Sequence, residues 1–224
     1  MNLLERIKTE VLVYDCTFKL SEETHKKSLD KILCFSNAMN AKGQSKKHYE
    51  NERNAVNALN NIRIGKYGEL AVAVFLYKNG YPKIVPDMTV RYGASKGWDC
   101  DLPYKELDDT LPDIHVKTCD INTTKYLKLN GRTDNYSWTF QFGNKSGKGG
   151  KDILFSTPDS TEVIFLSVIS NINNPNVTVY ASGPWCKLYP ILKDPMLDYL
   201  VGFKKCIYSN DLLNIAKSVS ITIN

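Results

Sequence analysis

Gly97-Trp98-Asp99-Cys100-Asp101-Leu102, followed after a polar, turn-like stretch by Pro112-Asp113-Ile114-His115-Val116-Lys117, orders the rest of this chain around it. Read as two neighbouring strands, the second segment turns Ile114 and Val116 toward a core, because successive side chains of a strand point to opposite faces. His115 and Lys117 then share the other face, and Asp99 and Asp101 share one face of their own strand. Acids, an imidazole and an ammonium group on one side of a hairpin are the groups that hold a divalent cation for phosphodiester cleavage.

Upstream, residues 65–79 carry Leu70, Ala71, Val74, Phe75 and Tyr77 as an apolar helical stripe, and Gly80 is a natural stop. Glu69 falls near the start of that helix. A surface position is the plain explanation of a helical glutamate, but residues 70–74 are all apolar, and a buried carboxylate needs a partner or a metal. Further helices are expected over 21–37, where Leu29, Ile32 and Leu33 recur at helical spacing, and over the Asn-rich segment 49–63. Within residues 1–20, Val11-Leu12-Val13-Tyr14 reads equally as a short strand or as part of a first helix. Downstream, strands are expected at 83–90, 98–102, 113–119, 137–142, 153–156, 162–169 and 177–181, and a short helix at 212–219. Helices first and strands after give a mixed α/β (α+β) class. Residues 1–63 read as an N-terminal helical region for DNA binding or dimerisation, and 64–224 as a catalytic core.

The chain has 224 residues, 42% hydrophobic and 24% charged, which suits a packed globular core and excludes general disorder. Net charge is +5, and residues 117–151 hold the same excess: seven Lys or Arg against Asp120 and Asp134. A solvated loop explains such a stretch; so does a phosphate-contacting surface. On the second reading the candidate nucleic-acid contacts are Lys125, Lys128, Lys145 and Lys148, with Lys46 and Lys47 in the basic segment 42–53. Gln44, Asn57, Asn60 and Asn61 carry amides that could reach base edges. The six cysteines are scattered without a CxxC pair, which argues against a zinc knuckle and for a reducing, cytoplasmic compartment. The charged, amphipathic start does not resemble a signal peptide, and no apolar run approaches the ~20 residues needed to span a bilayer, so no membrane partner is expected.

Gly-Glu on an early helix (Glu69), Gly-Trp-Asp opening a strand (Asp99) and Asp-Ile-His-Val-Lys-Thr on the next (Lys117) resemble the PD-(D/E)xK nuclease superfamily over roughly residues 65–142. The resemblance implies a restriction-endonuclease-like core, a central mixed sheet flanked by helices. It implies DNA hydrolysis with Mg²⁺, or Mn²⁺ in its place, in a restriction-type or phage-encoded endonuclease that could act as a homodimer. Its pattern falls on Glu69, Asp99 and Lys117 as catalytic residues, with Glu69 and Asp99 as metal ligands. Where the family usually has Asp or Glu two residues before the lysine, this chain has His115, which can ligate with one less negative charge or hold a metal-bound water. Lys117 would orient the attacking water and offset charge on the phosphate. Asp101, Asp113 and Gln141 are accessory candidates; Asp113 reads more simply as a strand-start residue, and Asp99 or Asp101 alone as a turn or a solvated edge.

Other chemistries are poorly supported. The loop 143–150 lacks the GxxxxGK[ST] spacing of a phosphate loop. His25, His48 and His115 are dispersed, and Ser137 and Ser146 have no His and Asp partners arranged for acyl transfer. The alternatives to an endonuclease are a catalytically inactive nuclease-fold protein that binds nucleic acid and an interaction protein with a basic face.

Overall fold

The computed structural model of the protein describes residues 2–41, 55–89, 100–131, 135–143 and 152–218. Gln44, Lys46, Lys47, Asp99, Lys145 and Lys148 lie outside the described residues. The elements run α1 (Leu3–Ile7), β1 (Leu12–Lys19), α2 (Lys26–Ala41), α3 (Ala55–Lys78), β2 (Ile114–Asp120), α4 (Ile121–Leu129), β3 (Ser137–Gln141), β4 (Val163–Ile169), β5 (Asn176–Pro184), α5 (Trp185–Leu188), β6 (Lys204–Tyr208), α6 (Ser209–Ile215) and β7 (Lys217–Ser218).

Five strands form a mixed sheet in the order β2-β4-β5-β1-β7. β2 runs parallel to β4 with Ile114 opposite Val163, β5 is antiparallel to both β4 and β1, and β7 is parallel to β1. β4 is buried at all seven positions because both faces of the sheet are covered, so its sequence is apolar almost throughout and not alternating. On one face, Phe165, Ile114 and Val116 pack with Leu70, Ala71 and Phe75 of α3 and Ile32 of α2. On the other, Ile164, Leu166 and Val168 pack with Trp138, Phe140 and Ile207 of a two-stranded sheet made by β3 and β6. The chain is thus a mixed α/β fold of three layers.

α3 lies close to the sheet because Gly68 has no side chain. A Cβ there would sit 1.8 Å from Thr118 Oγ1 and 2.8 Å from Ser167 Oγ, two hydroxyls that are themselves hydrogen-bonded at 3.0 Å. The helix ends in a Schellman motif: Gly80 has φ of 89°, its N–H donates to the Tyr77 carbonyl, and the Tyr81 N–H donates to the Leu76 carbonyl. Each buried indole donates to a backbone carbonyl, Trp138 to Ser167 and Trp185 to Leu154, both at 2.7 Å.

Several expected elements differ. The helices expected at 49–63 and 65–79 are one helix across residues 55–78, since burial against α2 and the sheet outweighs the low propensity of Gly65 and Gly68. Residues 83–89 form no strand; Pro82 and Pro86 remove ladder donors on either side. Residues 153–156 are a turn of 3₁₀ helix whose Leu154 carbonyl receives the Trp185 indole. The C-terminal helix ends at Ile215, and Lys217–Ser218 pairs with β1. The expected boundary at residue 63 falls inside α3, and β1 belongs to the central sheet, so the N-terminal segment is not a separate helical region. All six cysteines are free, and among the described residues no helix is long and apolar enough to cross a membrane.

Candidate active site at the edge of the sheet

β2 is the terminal strand of the five-stranded sheet, and the residues before it fold back along its outer edge. Leu102 bridges Ile114 in antiparallel fashion, with the Leu102 N–H donating to the Ile114 carbonyl at 3.0 Å and the reverse bond at 3.1 Å. The next outward N–H of β2, that of Val116, donates to Asp101 Oδ2 at 2.7 Å. The carboxylate of Asp101 therefore stands where a neighbouring strand would offer a carbonyl.

Glu69 projects from α3 into this corner and is 6% exposed. Lys66, one helical turn earlier and 8% exposed, donates to Glu69 Oε2 at 2.7 Å, while its ammonium lies 5.6 Å from the centre of the Phe35 ring of α2. Burial, then the charge of Asp101, push the Glu69 carboxyl up to about 8; Lys66 opposes the shift and Asp87 adds to it.

Lys117 reaches across the other face of β2 to Asp152, with Nζ 2.7 Å from Oδ2, and passes 5.5 Å from the centre of the Phe140 ring. Burial alone would lower its pKa. The charges of Asp152 and Asp101, the hydrogen bond to Asp152 and the charge of Glu69 outweigh it, so the pKa is raised and the ammonium stays charged. Asp152 is in turn placed by its own backbone N–H, which donates to the Gln141 carbonyl at 2.8 Å. Gln141 thus contributes through its main chain; its side-chain amide donates to the Gly143 carbonyl.

Glu69, on the α3 side of β2, and Lys117, on the other face, both feel the charge of Asp101; Glu69 is also influenced by Lys66 and Asp87, and Lys117 by Asp152. His115 is engaged elsewhere on β2. Its buried Nε2 lies 3.3 Å from Glu162 Oε2, an ion-pair distance without hydrogen-bond alignment, and the imidazole holds the Glu162 carboxyl below its usual range. Asp113 accepts the Lys105 backbone N–H at 3.1 Å, in keeping with a strand-start role. Lys125 and Lys128 are exposed on α4. Among the described residues no group of three or more His, Cys, Asp or Glu side chains is disposed to hold a metal ion. Sequence reasoning missed Asp152 and Glu162, which follow Lys117 and His115 by tens of residues and carry no local spacing signal.

Past Asp101, β2 borders a groove with a volume of about 470 Å³. Its floor includes Val116 to Asp120, one wall is Asn61 and Gly65 of α3, and the other is Ser137 and Thr139 of β3 with Lys204 and Tyr208 of β6. No family model, curated protein or solved structure matches the chain.

Proposed function

We propose that this protein is a metal-dependent endodeoxyribonuclease with a restriction-endonuclease-like core. The observation that supports it best is that the buried Glu69 carboxyl of α3 and the Lys117 ammonium of the edge strand both feel the charge of Asp101, the carboxylate that takes the Val116 N–H beside that strand. The sequence resemblance implies Glu69, Asp99 and Lys117; Asp99 lies outside the described residues, and Asp101 is the carboxylate described beside β2.

The donor set suits a hard divalent cation. Burial and the charge of Asp101 keep the Glu69 proton to about pH 8 even with the Lys66 ammonium at 2.7 Å, so Lys66 alone does not offset the two carboxyls. Mg²⁺ takes one or two carboxylates and fills its remaining positions with water and phosphate oxygens. Glu69 and Asp101 would hold it; bound there it would act as a Lewis acid and lower the pKa of a coordinated water. Lys117, fixed by Asp152, remains an ammonium and so serves as an electrostatic group, orienting a water or neutralising a phosphate oxygen, and not as a general base. Asp101 takes the Val116 N–H through Oδ2, so the edge of β2 is capped there by a carboxylate and not by another strand.

The test is incubation of the purified protein with plasmid and linear DNA, with and without Mg²⁺ or Mn²⁺. Metal-dependent nicking or cutting is expected, falling at least about a hundredfold in Lys117→Ala, the scale of losing one preorganised transition-state contact. Absence of cleavage with either metal, with DNA binding retained, would leave the inactive binding protein as the better reading.

A further inference from the structure

We infer that the outer edge of β1 is a docking surface for the chain's own residues 219–224, which lie outside the described residues and would carry β7 on to the level of Lys19. The inference stands apart from the nuclease reading and holds or fails without it.

β1 runs from Leu12 to Lys19, but among the described residues β7 accompanies it only at Leu12 and Val13. The main-chain groups of successive strand residues point to opposite sides of the strand. At the start of β1 the Val11 carbonyl accepts the Lys217 N–H on the β7 side; past its end the Leu20 N–H donates to the Pro175 carbonyl on the β5 side. Odd positions therefore face outward and even positions face β5. The register against β5 shifts between Val13 and Cys16, yet Leu12, Tyr14, Cys16 and Phe18 all stay in the core under α3, so the alternation of β1 itself is unbroken. The N–H groups of Asp15, Thr17 and Lys19 and the carbonyls of Val13, Asp15 and Thr17 are thus directed to the outer edge, while the Lys19 carbonyl accepts the Glu22 N–H. Such a row of donors and acceptors is a template for one more strand.

The side-chain pattern selects the occupant. Paired residues of neighbouring strands share a face of the sheet, so continuing the register of Leu12 with Lys217 and Val13 with Ser218 sets Val219 beside Tyr14, Ile221 beside Cys16 and Ile223 beside Phe18. Those three β1 side chains are buried, and three apolar neighbours extend the same core. Thr222 falls beside Thr17, which is exposed on the opposite face. The run Val-Ser-Ile-Thr-Ile alternates with period two and is β-branched at four of its five positions, the composition that favours a strand. A slip of one residue would turn all three apolar side chains to the polar face, so the pattern also fixes the register. Ser218 is already held beside Val13, which delivers the segment to the edge within one chain; a second copy would have to bring a strand there by association.

The experiment is amide hydrogen exchange of the full chain, read residue by residue by NMR at two protein concentrations. Asp15 and Thr17 are expected to be protected at both, as are Cys16 and Phe18, whose amides face β5. Ile221→Pro removes the N–H that would reach the Asp15 carbonyl, and is expected to speed exchange at Asp15 and Thr17 at least about tenfold while Cys16 and Phe18 stay protected. Ile221→Val keeps the pattern and is expected to keep the protection. Should Ile221→Pro also release Cys16 and Phe18, Ile223→Pro, which reaches only Thr17 and Lys19, decides in the same way. Unprotected Asp15 and Thr17 amides in the full chain overturn the inference, as does protection that both proline variants leave intact. Protection that appears only at the higher concentration assigns the edge to a second copy and overturns it too.

Discussion

Asp152 and Glu69 define what the corner of the sheet can do, and each makes a different demand on it. Asp152 holds the Lys117 ammonium at 2.7 Å from a position 35 residues away in sequence. Asp152→Asn keeps the shape and removes the charge, so Mg²⁺-dependent cleavage is expected to fall at least about tenfold with the melting temperature little changed, as for a group that acts through another residue. Glu69 keeps its proton to about pH 8 in the folded chain, against 4.5 for an ordinary glutamate. In metal-free protein, folding therefore takes up a proton between those two values. The stability associated with the protonated carboxyl is complete below the lower value and is lost as pH rises through the upper one. Glu69→Gln is expected to flatten that decline; urea denaturation at pH 5, 7 and 9 measures it, and parallel stability profiles for the two proteins would refute it. The alternation of Ile114 and Val116 against His115 and Lys117 was legible from the sequence because strand periodicity is local. The partners of Lys117 and His115 were not, because a carboxylate supplied from a 3₁₀ turn or from the start of β4 is fixed by topology alone.

At the scale of elements, the contact between α3 and the sheet depends on one missing methyl group. Gly68→Ala would place a Cβ 1.8 Å from Thr118 Oγ1, so the helix or the threonine must move. A loss of about 1–3 kcal/mol is expected, the usual cost of overpacking. Thr118→Ala in the same chain is expected to recover part of it, as a double-mutant cycle by thermal denaturation would show. The same packing explains how the sequence was misread: the glycines of α3 mark close approach, not a break between two helices. The expected strand at 153–156 failed for a related reason. Only Leu154 of its apolar run is buried, its Leu154 carbonyl is taken by the Trp185 indole, and its Phe155 and Thr157 N–H groups turn back to Asp152 and Leu154.

At the scale of the molecule, the mixed α/β class followed from the order of elements, but the division at residue 63 did not survive the sheet, because β1 lies between β5 and β7. A fragment of residues 64–224 lacks that strand, all of α2 and part of α3. It is expected to show no cooperative thermal transition by circular dichroism, whereas an autonomous core would melt cooperatively. Tyr14 of β1 bonds Ser182 of β5 across 168 residues of chain. During synthesis, β1 must therefore wait unpaired, its alternate apolar positions Leu12, Tyr14, Cys16 and Phe18 uncovered, until β5 has left the ribosome; the fold closes late, and an arrested nascent chain of less than that length presents this half-apolar strand to any chaperone nearby.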